Sequence, residues 1–202
     1  MNHFKRRGIL FVVSAPSGAG KSTICANLKQ TPDFQYSVSC TTRPARAGEE
    51  HGVDYWFLST EEFEARKAEG AFIETAWVHG YQYGTMKANT EKAVREGTDL
   101  LLDIDVTGAR QIRESLEDWI RDSLVDIFIM PPTLEELERR LRKRGTETEE
   151  QIQYRLKAAE EEIVYWPEYH YTILSETMEE DLQKFRAIIR AERYKSKRLS
   201  LC

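Results

Sequence analysis

The sequence predicts an α/β fold in which a parallel β-sheet core is flanked by helices, with a small mixed β-sheet and a helical hairpin inserted into it. Apolar runs of strand length alternate with helical patterns along most of the 202 residues. That alternation is typical of a parallel sheet covered by helices on both faces. One stretch is instead aromatic and partly alternating, as in a more exposed sheet. Another carries two helical patterns separated by a glycine.

The first strand and helix of the core enclose a stretch that predicts a phosphate site. Residues 9–14 form an apolar run, and residues 21–29 continue as a helix stopped by Thr31-Pro32. Between them, small residues let backbone N–H groups converge on an anion, and the helix N-terminus directs its dipole to the same point. Lys21 can then reach the outer phosphates of a nucleotide, and the Ser22 hydroxyl can ligate magnesium.

This stretch follows the pattern G-x-x-x-x-G-K-[ST], except that Ala15 stands in the first position. A glycine-rich turn that merely joins a strand to a helix is the alternative. Because the apolar strand, the loop, Lys21-Ser22 and the helix occur in the expected order, we favour nucleotide binding. The predicted triphosphate-binding residues are Ala15, Pro16, Ser17, Gly18, Ala19, Gly20, Lys21, Ser22 and Thr23.

The rest of the core is predicted from three later apolar runs. Residues 100–104 and 124–129 each precede a helical pattern, and a shorter run at 171–174 precedes the last helix, from about residue 178 to 197. Strands that alternate with helices in this way form parallel sheets.

Strands of the inserted sheet are predicted at residues 36–41, 53–57 and 72–78, which are rich in aromatic and β-branched residues. A helix interrupts them. Ser59 is its predicted cap, Glu62 occupies the capping-box position, and Gly70 ends the pattern.

The hairpin is predicted between residues 133 and 165, where each helix starts at a threonine with a capping residue three positions later. The two pairs are Thr133 with Glu136 and Thr148 with Gln151, and Gly145 separates the helices. Its first arm ends in a dense basic cluster. The hairpin is either a plain surface excursion or a lid.

Composition excludes several classes of function. A formal net charge of −5 disfavours a nucleic-acid coating protein. No apolar run is long enough to cross a bilayer, and the first seven residues do not form a secretory signal. Three cysteines (Cys25, Cys40 and Cys202) without C-x-x-C spacing indicate reduced thiols, so we expect a cytoplasmic protein. The four histidines show no zinc or triad pattern.

Beyond the phosphate loop, the sequence closely resembles the guanylate kinases. The resemblance runs from about Gly8 to the last helix, in the family's order and at roughly its spacing. The segments that carry it are SVSCTTRPARAGE at 37–49, GVDY at 52–55, FIE at 72–74, YGT at 83–85, LDIDVTG at 102–108 and RRLRKRGTET at 139–148.

The resemblance implies a magnesium-dependent kinase that transfers the γ-phosphoryl group of ATP to GMP, and also to dGMP, giving ADP and GDP in purine nucleotide metabolism. It implies a P-loop NTPase-type core (residues 1–36, 87–132 and 166–202), a GMP-binding insertion (37–86) and a helical lid region (133–165). ATP and GMP are then small-molecule partners, with no nucleic acid and no membrane, and a homo-oligomer remains open.

The resemblance also implies roles for individual residues. Arg43 and Arg46, with Tyr55 and Tyr83, suit the GMP phosphate, because guanidinium groups pair with phosphate oxygens in a fixed geometry. Glu74 is a carboxylate in an apolar strand, where it needs a partner, and guanine N1–H and N2–H together supply one.

Smaller polar residues complete this assignment. Ser39 is expected to donate to guanine O6 and Thr85 to lie near the base, although backbone capping is an alternative for both. Asp103 ends a strand where a carboxylate holds the magnesium shell, together with Ser22. Asp105 would face the same side of that strand if the strand continues, and we assign it to GMP.

In the hairpin, Arg140, Arg144 and Arg155 resemble the family's lid arginines, which close over the phosphates and are assigned to catalysis with Lys21. Ser175-Glu176 departs from the Asn-Asp pair common near the adenine, so the preference for ATP would be relaxed if side chains make that contact.

Two other functions are alternatives to this one. A non-catalytic guanylate-kinase-like binding module is disfavoured by the intact loop and lid residues. A related P-loop sugar-phosphate kinase is disfavoured by Ser39 and Glu74, for which it would have no use.

Overall fold

The computed structural model describes residues 4–29, 34–78, 80–115, 117–145 and 148–201. In chain order the strands and helices are β1 (Phe4–Arg6), β2 (Leu10–Ser14), α1 (Lys21–Lys29), β3 (Gln35–Tyr36), β4 (Cys40–Thr41), β5 (Trp56–Phe57), α2 (Thr60–Ala68), β6 (Phe72–Val78), β7 (Tyr81–Met86), α3 (Lys87–Arg95), β8 (Leu100–Asp103), α4 (Val106–Arg113), α5 (Asp118–Ser123), β9 (Leu124–Met130), α6 (Leu134–Arg144), α7 (Glu149–Ile163), β10 (Tyr171–Leu174), α8 (Met178–Arg193) and β11 (Leu199–Leu201).

A five-stranded sheet in the order β10-β9-β2-β8-β3 forms the core, and all of its pairings are parallel. The predicted α/β fold is therefore confirmed. Because β2 lies in the middle of the sheet, it is buried on both faces, which explains its continuous apolar run.

Residues of β2 contribute alternately to two apolar clusters. Phe11 and Val13 pack on one face with residues of α1 and α8, whereas Leu10 and Val12 pack on the other with residues of α3, α4 and α5. Helices therefore cover both faces, as the sequence predicts. The first cluster also includes Leu137 and Leu141 of α6, so the hairpin packs against the core.

The second sheet is mixed and has the strand order β5-β4-β7-β6. The predicted single strand at residues 36–41 is in fact two strands in different sheets. β3 pairs with β8 of the core, and β4 pairs with β7 of the mixed sheet. The chain thus passes from one sheet to the other between Tyr36 and Cys40. This connection is so short that the residue pattern does not separate the two strands.

Capping residues set the helix ends. The capping boxes of α2 (Ser59 with Glu62) and α7 (Thr148 with Gln151) form as predicted, and Thr133 accepts a hydrogen bond from the Glu136 N–H. Gly145 ends α6 in the left-handed region, at a φ of 64°.

The last helix is shorter than predicted. α8 ends at Arg193, and the chain then forms a short 3₁₀ helix and β11, which pairs with β1. The Arg198 guanidinium donates 2.7 Å to the Glu192 carboxylate, and both side chains are almost fully buried. This ion pair fixes the turn where the helix was predicted to continue. None of the described helices is both long and apolar enough to cross a bilayer.

We expect Asp126→Ala to destabilise the protein by about 3–5 kcal/mol, because it removes one partner of a buried ion pair. Asp126 is fully buried in β9 and accepts hydrogen bonds from Arg113 Nη1 at 2.8 Å and from the His170 N–H at 2.9 Å. Urea unfolding measures the loss. Asp118→Ala, which removes an exposed carboxylate, is the control, and equal losses would contradict the prediction.

The loss of stability caused by Asp126→Ala should become smaller at acidic pH. Burial disfavours the ionised Asp126, but the bonds from His170 and Arg113 outweigh it and hold the pKa of this carboxyl below its usual value. The stabilisation is therefore present above about pH 4, the unfolded value, and is lost as the pH falls through the lower folded value.

Candidate functional site

The phosphate loop joins β2 to α1. Gly18 and Gly20 have φ values of 94° and 100°, which residues other than glycine rarely adopt. At Gly18 a Cβ atom would also lie 2.7 Å from Leu141 Cδ2 of α6. Glycine is thus needed there both for the backbone and for the close approach of the hairpin.

A carboxylate of the hairpin already binds this loop. Glu162 Oε2 accepts the Ser17 backbone N–H at 3.1 Å, and Arg155 Nη1 donates to Ser17 Oγ at 3.0 Å. Burial raises the pKa of Glu162, while the Ser17 N–H and Lys21 oppose that shift. An oxygen anion is therefore held at a backbone N–H of the loop, as a phosphate oxygen would be.

Glu162 is absent from the sequence-based assignment. A signal for it exists, because it follows Arg155 by seven residues and so lies on the same face of α7. However, it is the last of three consecutive glutamates, and such a run is typical of a solvent-exposed part of a helix.

Lys21 Nζ lies 2.7 Å from Asp103 Oδ1 and donates 2.8 Å to the Ile104 carbonyl. The two residues meet because β2 and β8 are parallel neighbours, with Val13 opposite Asp103. Ser22, in the first turn of α1, is exposed. One hydroxyl and one carboxylate fit Mg²⁺, which keeps several waters and takes further oxygens from substrate phosphates. Within the described ranges, no three His, Cys, Asp or Glu residues group as a metal cluster.

β8 does not continue to Asp105, so the condition under which Asp105 would face the same side of the strand as Asp103 is not met. β8 ends at Asp103, and Asp105 is instead the N-cap of α4, where its Oδ1 accepts the Gly108 N–H at 2.7 Å. An aspartate at this position satisfies a free N–H of the helix, which favours helix over strand. Asp105 nevertheless lies near Glu74, and its charge adds to the rise in the pKa of Glu74.

Glu74 is buried in β6, with 4% of its surface exposed. Thr85 Oγ1, from β7, donates to Glu74 Oε1 at 2.6 Å. Burial raises the pKa of Glu74 to about 7, the Thr85 hydrogen bond opposes this shift, and Asp105 adds to it. A buried carboxyl whose hydrogen-bond partner is the uncharged Thr85 can accept a cationic or N–H donor ligand.

Arg43 lies among aromatic rings and an acid. Its guanidinium makes two bonds to the Glu49 carboxylate, at 2.8 and 2.9 Å, and its Nε donates 3.3 Å to the Tyr83 hydroxyl. The Tyr55 ring centroid is 5.4 Å from Arg43 Cζ. Arg43 holds the pKa of Glu49 below its usual value through these hydrogen bonds. Three of the four predicted phosphate residues therefore meet, whereas the Arg46 side chain is exposed.

A cavity of about 120 Å³ connects the two sheets. Ser39 and Tyr55 line it from the insertion, and Tyr36 and Asp103 line it from the core. Its lining therefore combines two of the predicted GMP residues, Ser39 and Tyr55, with Asp103 of the predicted magnesium site.

Arg140 makes its hydrogen bonds to residues outside the phosphate loop. Its guanidinium donates to Glu136 Oε1 at 2.8 Å, to Ser175 Oγ at 3.1 Å and to the Glu176 carbonyl at 3.4 Å. It therefore contacts the segment in which the sequence departs from the common Asn-Asp pair. Ser175 Oγ also donates to Asp181 Oδ2 at 2.8 Å. The side chain of Arg144 lies outside the described part of the chain.

Comparison with known proteins gives a consistent result. The family model described as Guanylate kinase matches residues 7–192. A guanylate kinase of Sphingopyxis alaskensis is 46% identical over 97% of this chain and 88% of its own, and one of Syntrophotalea carbinolica is 48% identical over 96% and 91%. The crystal structure of guanylate kinase from Anaplasma phagocytophilum has a TM-score of 0.76 at 38% identity, covering 98% of this chain and 92% of its own.

We expect Glu74→Gln to stabilise the substrate-free protein at pH 8 and to have little effect at pH 5. The folded state holds a proton that the unfolded state releases between pH 4.5 and about pH 7, so stability falls as the pH rises through this window. The gain at pH 8 is up to about 3 kcal/mol.

Urea unfolding at both pH values measures this difference. Glu96→Gln, which neutralises an exposed carboxylate outside the site, is the control. A gain from Glu74→Gln that is the same at pH 5 and pH 8 would show that Glu74 titrates normally.

Proposed function

Since the chain belongs to the guanylate kinase family, the enzyme transfers the γ-phosphoryl group of ATP to GMP, and we propose how its own residues carry out this reaction. The observation that carries the assignment is the buried Glu74 carboxylate, which Thr85 contacts within the insertion. Ser39 and Tyr55 of the same insertion line a cavity together with Asp103, the partner of Lys21. A kinase that phosphorylates a sugar would have no use for this buried carboxylate.

On the donor side, the loop from Ala15 to Thr23 binds the ATP phosphates. A phosphate oxygen takes the Ser17 N–H that Glu162 holds, and Lys21 reaches the β- and γ-phosphates. Arg155 is already at Ser17 and needs only a short movement to meet the same phosphates. Because negative charge spreads over the transferred group, these fixed positive groups lower the barrier more than they strengthen ground-state binding.

Ser22 and Asp103 are the residues that would hold Mg²⁺ beside the phosphates. When bound, the ion neutralises charge on the β- and γ-phosphate oxygens. Lys21 and Asp103 form an ion pair in the substrate-free protein, so Asp103 also keeps the Lys21 side chain next to the loop.

Glu74 selects guanine. Its carboxylate accepts the N1–H and N2–H protons together, whereas adenine presents an acceptor at N1 and leaves the buried carboxylate unpaired. Because only the ionised carboxylate accepts both protons, GMP binds more weakly as the pH falls below about 7. Ser39 lines the cavity between the two sheets and can donate to O6, and the Thr85 hydroxyl holds the Glu74 carboxylate. Asp105 lies beside Gly108, next to Glu74, and is the further residue proposed to contact GMP.

The GMP phosphate binds at Arg43, with Arg46, Tyr55 and Tyr83 around it. Arg43 presents two donors to Glu49 in the geometry that a phosphate requires. The GMP phosphate therefore displaces the Glu49 carboxylate from the Arg43 guanidinium rather than entering an empty site. Arg46, whose side chain is exposed on the same loop, can complete the phosphate site as that exchange occurs.

Residues 133–165 act as a lid, and residues 37–86 as the GMP-binding unit. Arg140, Arg144 and Arg155 bring positive charge over the phosphates, and closure excludes water, which would otherwise compete with GMP as the acceptor.

Since the Ser175 hydroxyl is occupied by Arg140 and Asp181, adenine contacts at this segment fall to its backbone or to Glu176. We place the enzyme in the cytoplasm and propose dGMP as a second acceptor.

The acceptor assignment is tested by measuring ADP production from ATP and Mg²⁺ with GMP, AMP, CMP, UMP and ribose bisphosphate offered separately. We expect turnover with GMP alone, and a loss of roughly a hundredfold in kcat/KM for GMP in Glu74→Gln with the KM for ATP unchanged. Turnover only with the sugar phosphate, or none with any acceptor, would overturn the assignment. Equal losses toward GMP and ATP in the variant would indicate structural damage instead.

We expect Lys21→Ala to lower kcat by about a hundredfold or more, because it removes a fixed charge from the transferring phosphate. Circular dichroism should show a folded protein. Lys92→Ala, at an exposed lysine of α3, is the matched control and should turn over normally. Turnover of Lys21→Ala within threefold of the parent enzyme would contradict the assigned role.

A further inference from the structure

The strand that carries Glu74 lies at the edge of the mixed sheet, and a side chain of α4 covers that edge. β6 pairs with β7 on one side only. On its other side, Gln111 Oε1 accepts the Thr75 N–H at 2.9 Å and Gln111 Nε2 donates to the Thr75 carbonyl at 2.8 Å. One side-chain amide thus satisfies both backbone groups of Thr75, as a neighbouring strand would.

The pairing of β6 with β7 is irregular next to this contact. Phe72 lies opposite Met86 and Glu74 opposite Thr85, so the register shifts between Phe72 and Glu74. A shift of this kind changes the direction of nearby side chains, and a slip of one residue would turn Glu74 to the other face. The irregularity falls at Ile73, directly before Glu74, and Gln111 holds Thr75, directly after it.

Helix α4 is itself fixed with respect to the Glu74 carboxylate. The Asp105 cap binds the Gly108 N–H, and a Cβ atom at Gly108 would lie 3.0 Å from Glu74 Oε2. Gln111 follows Gly108 by three residues and so lies on the same face of the helix. One face of α4 therefore contacts the carboxylate at one turn and the backbone of its strand at the next.

We propose that Gln111 is a positioning residue that orients the Glu74 carboxylate and thereby sets the preference of the enzyme for guanine. This inference rests on the proposed role of Glu74. Its action is indirect, through the backbone of Thr75. A cleft of about 330 Å³ borders Gln111, Phe72 and Ile73, so water can satisfy Thr75 when the amide is removed. Loss of the amide therefore alters the site more than the fold.

The test is Gln111→Met, which keeps the length of the side chain and removes both hydrogen bonds. We expect the KM for GMP to rise about tenfold, with kcat and the KM for ATP changed less than twofold. Gln111→Glu, which keeps the acceptor and loses the donor, should also raise the KM for GMP. Arg110→Met, a half-exposed neighbour on the same helix, is the control and should leave all three parameters unchanged.

A double-mutant cycle separates positioning from general damage. If Gln111 acts through Glu74, adding Gln111→Met to Glu74→Gln should lower kcat/KM for GMP by less than twofold further. Full additivity, equal losses toward ATP and GMP, or an unchanged KM for GMP would overturn the inference. A strong effect of Glu74→Gln beside no effect of Gln111→Met would overturn it while leaving the role of Glu74 intact. No effect of Glu74→Gln would overturn both.

Discussion

The parallel pairing of β2 with β8 is the constraint on which the rest of the site depends. It sets the ends of two buried strands side by side, so that Lys21, after one strand, and Asp103, at the end of the other, lie 2.7 Å apart. A phosphate loop needs a helix N-terminus and a nearby carboxylate at one edge of a sheet, and two adjacent parallel strands supply both. The inserted sheet and the hairpin approach that same edge, which is why one small cavity borders residues of both sheets.

Much of this architecture could be predicted because its signals are local. The apolar run of β2, the glycines of the loop and the capping boxes of α2 and α7 each depend on a few neighbouring residues. Elements whose ends depend on distant partners were not predicted. β3 and β4 look like one strand, and α8 ends early because Arg198 binds Glu192, an ion pair that no periodicity reveals.

The site follows the same division. The phosphate-loop residues are evident from their order along the chain, and the assignments of Glu74 and Arg43 came from a family resemblance rather than from spacing. Glu162 and Gln111 were not found, because each makes its contact across a long gap in sequence, 145 residues from Ser17 and 36 residues from Thr75. The sequence leaves open whether β8 continues to Asp105, because it does not show that this carboxylate caps the next helix.

Four of the groups proposed to bind substrate already have a partner within the chain. Lys21 pairs with Asp103, Arg43 with Glu49, the Ser17 N–H with Glu162, and Glu74 with Thr85. A cluster of unpaired charges at the meeting point of two anionic nucleotides would destabilise the folded protein, and these contacts prevent that. Substrate binding is then an exchange of partners, so its net free energy is the difference between two sets of contacts rather than the sum of one. The exchange is least balanced at Glu74, where guanine would add two N–H donors to the hydrogen bonds from the uncharged Thr85. We therefore expect this site to gain its selectivity at the base edge more than at the phosphates.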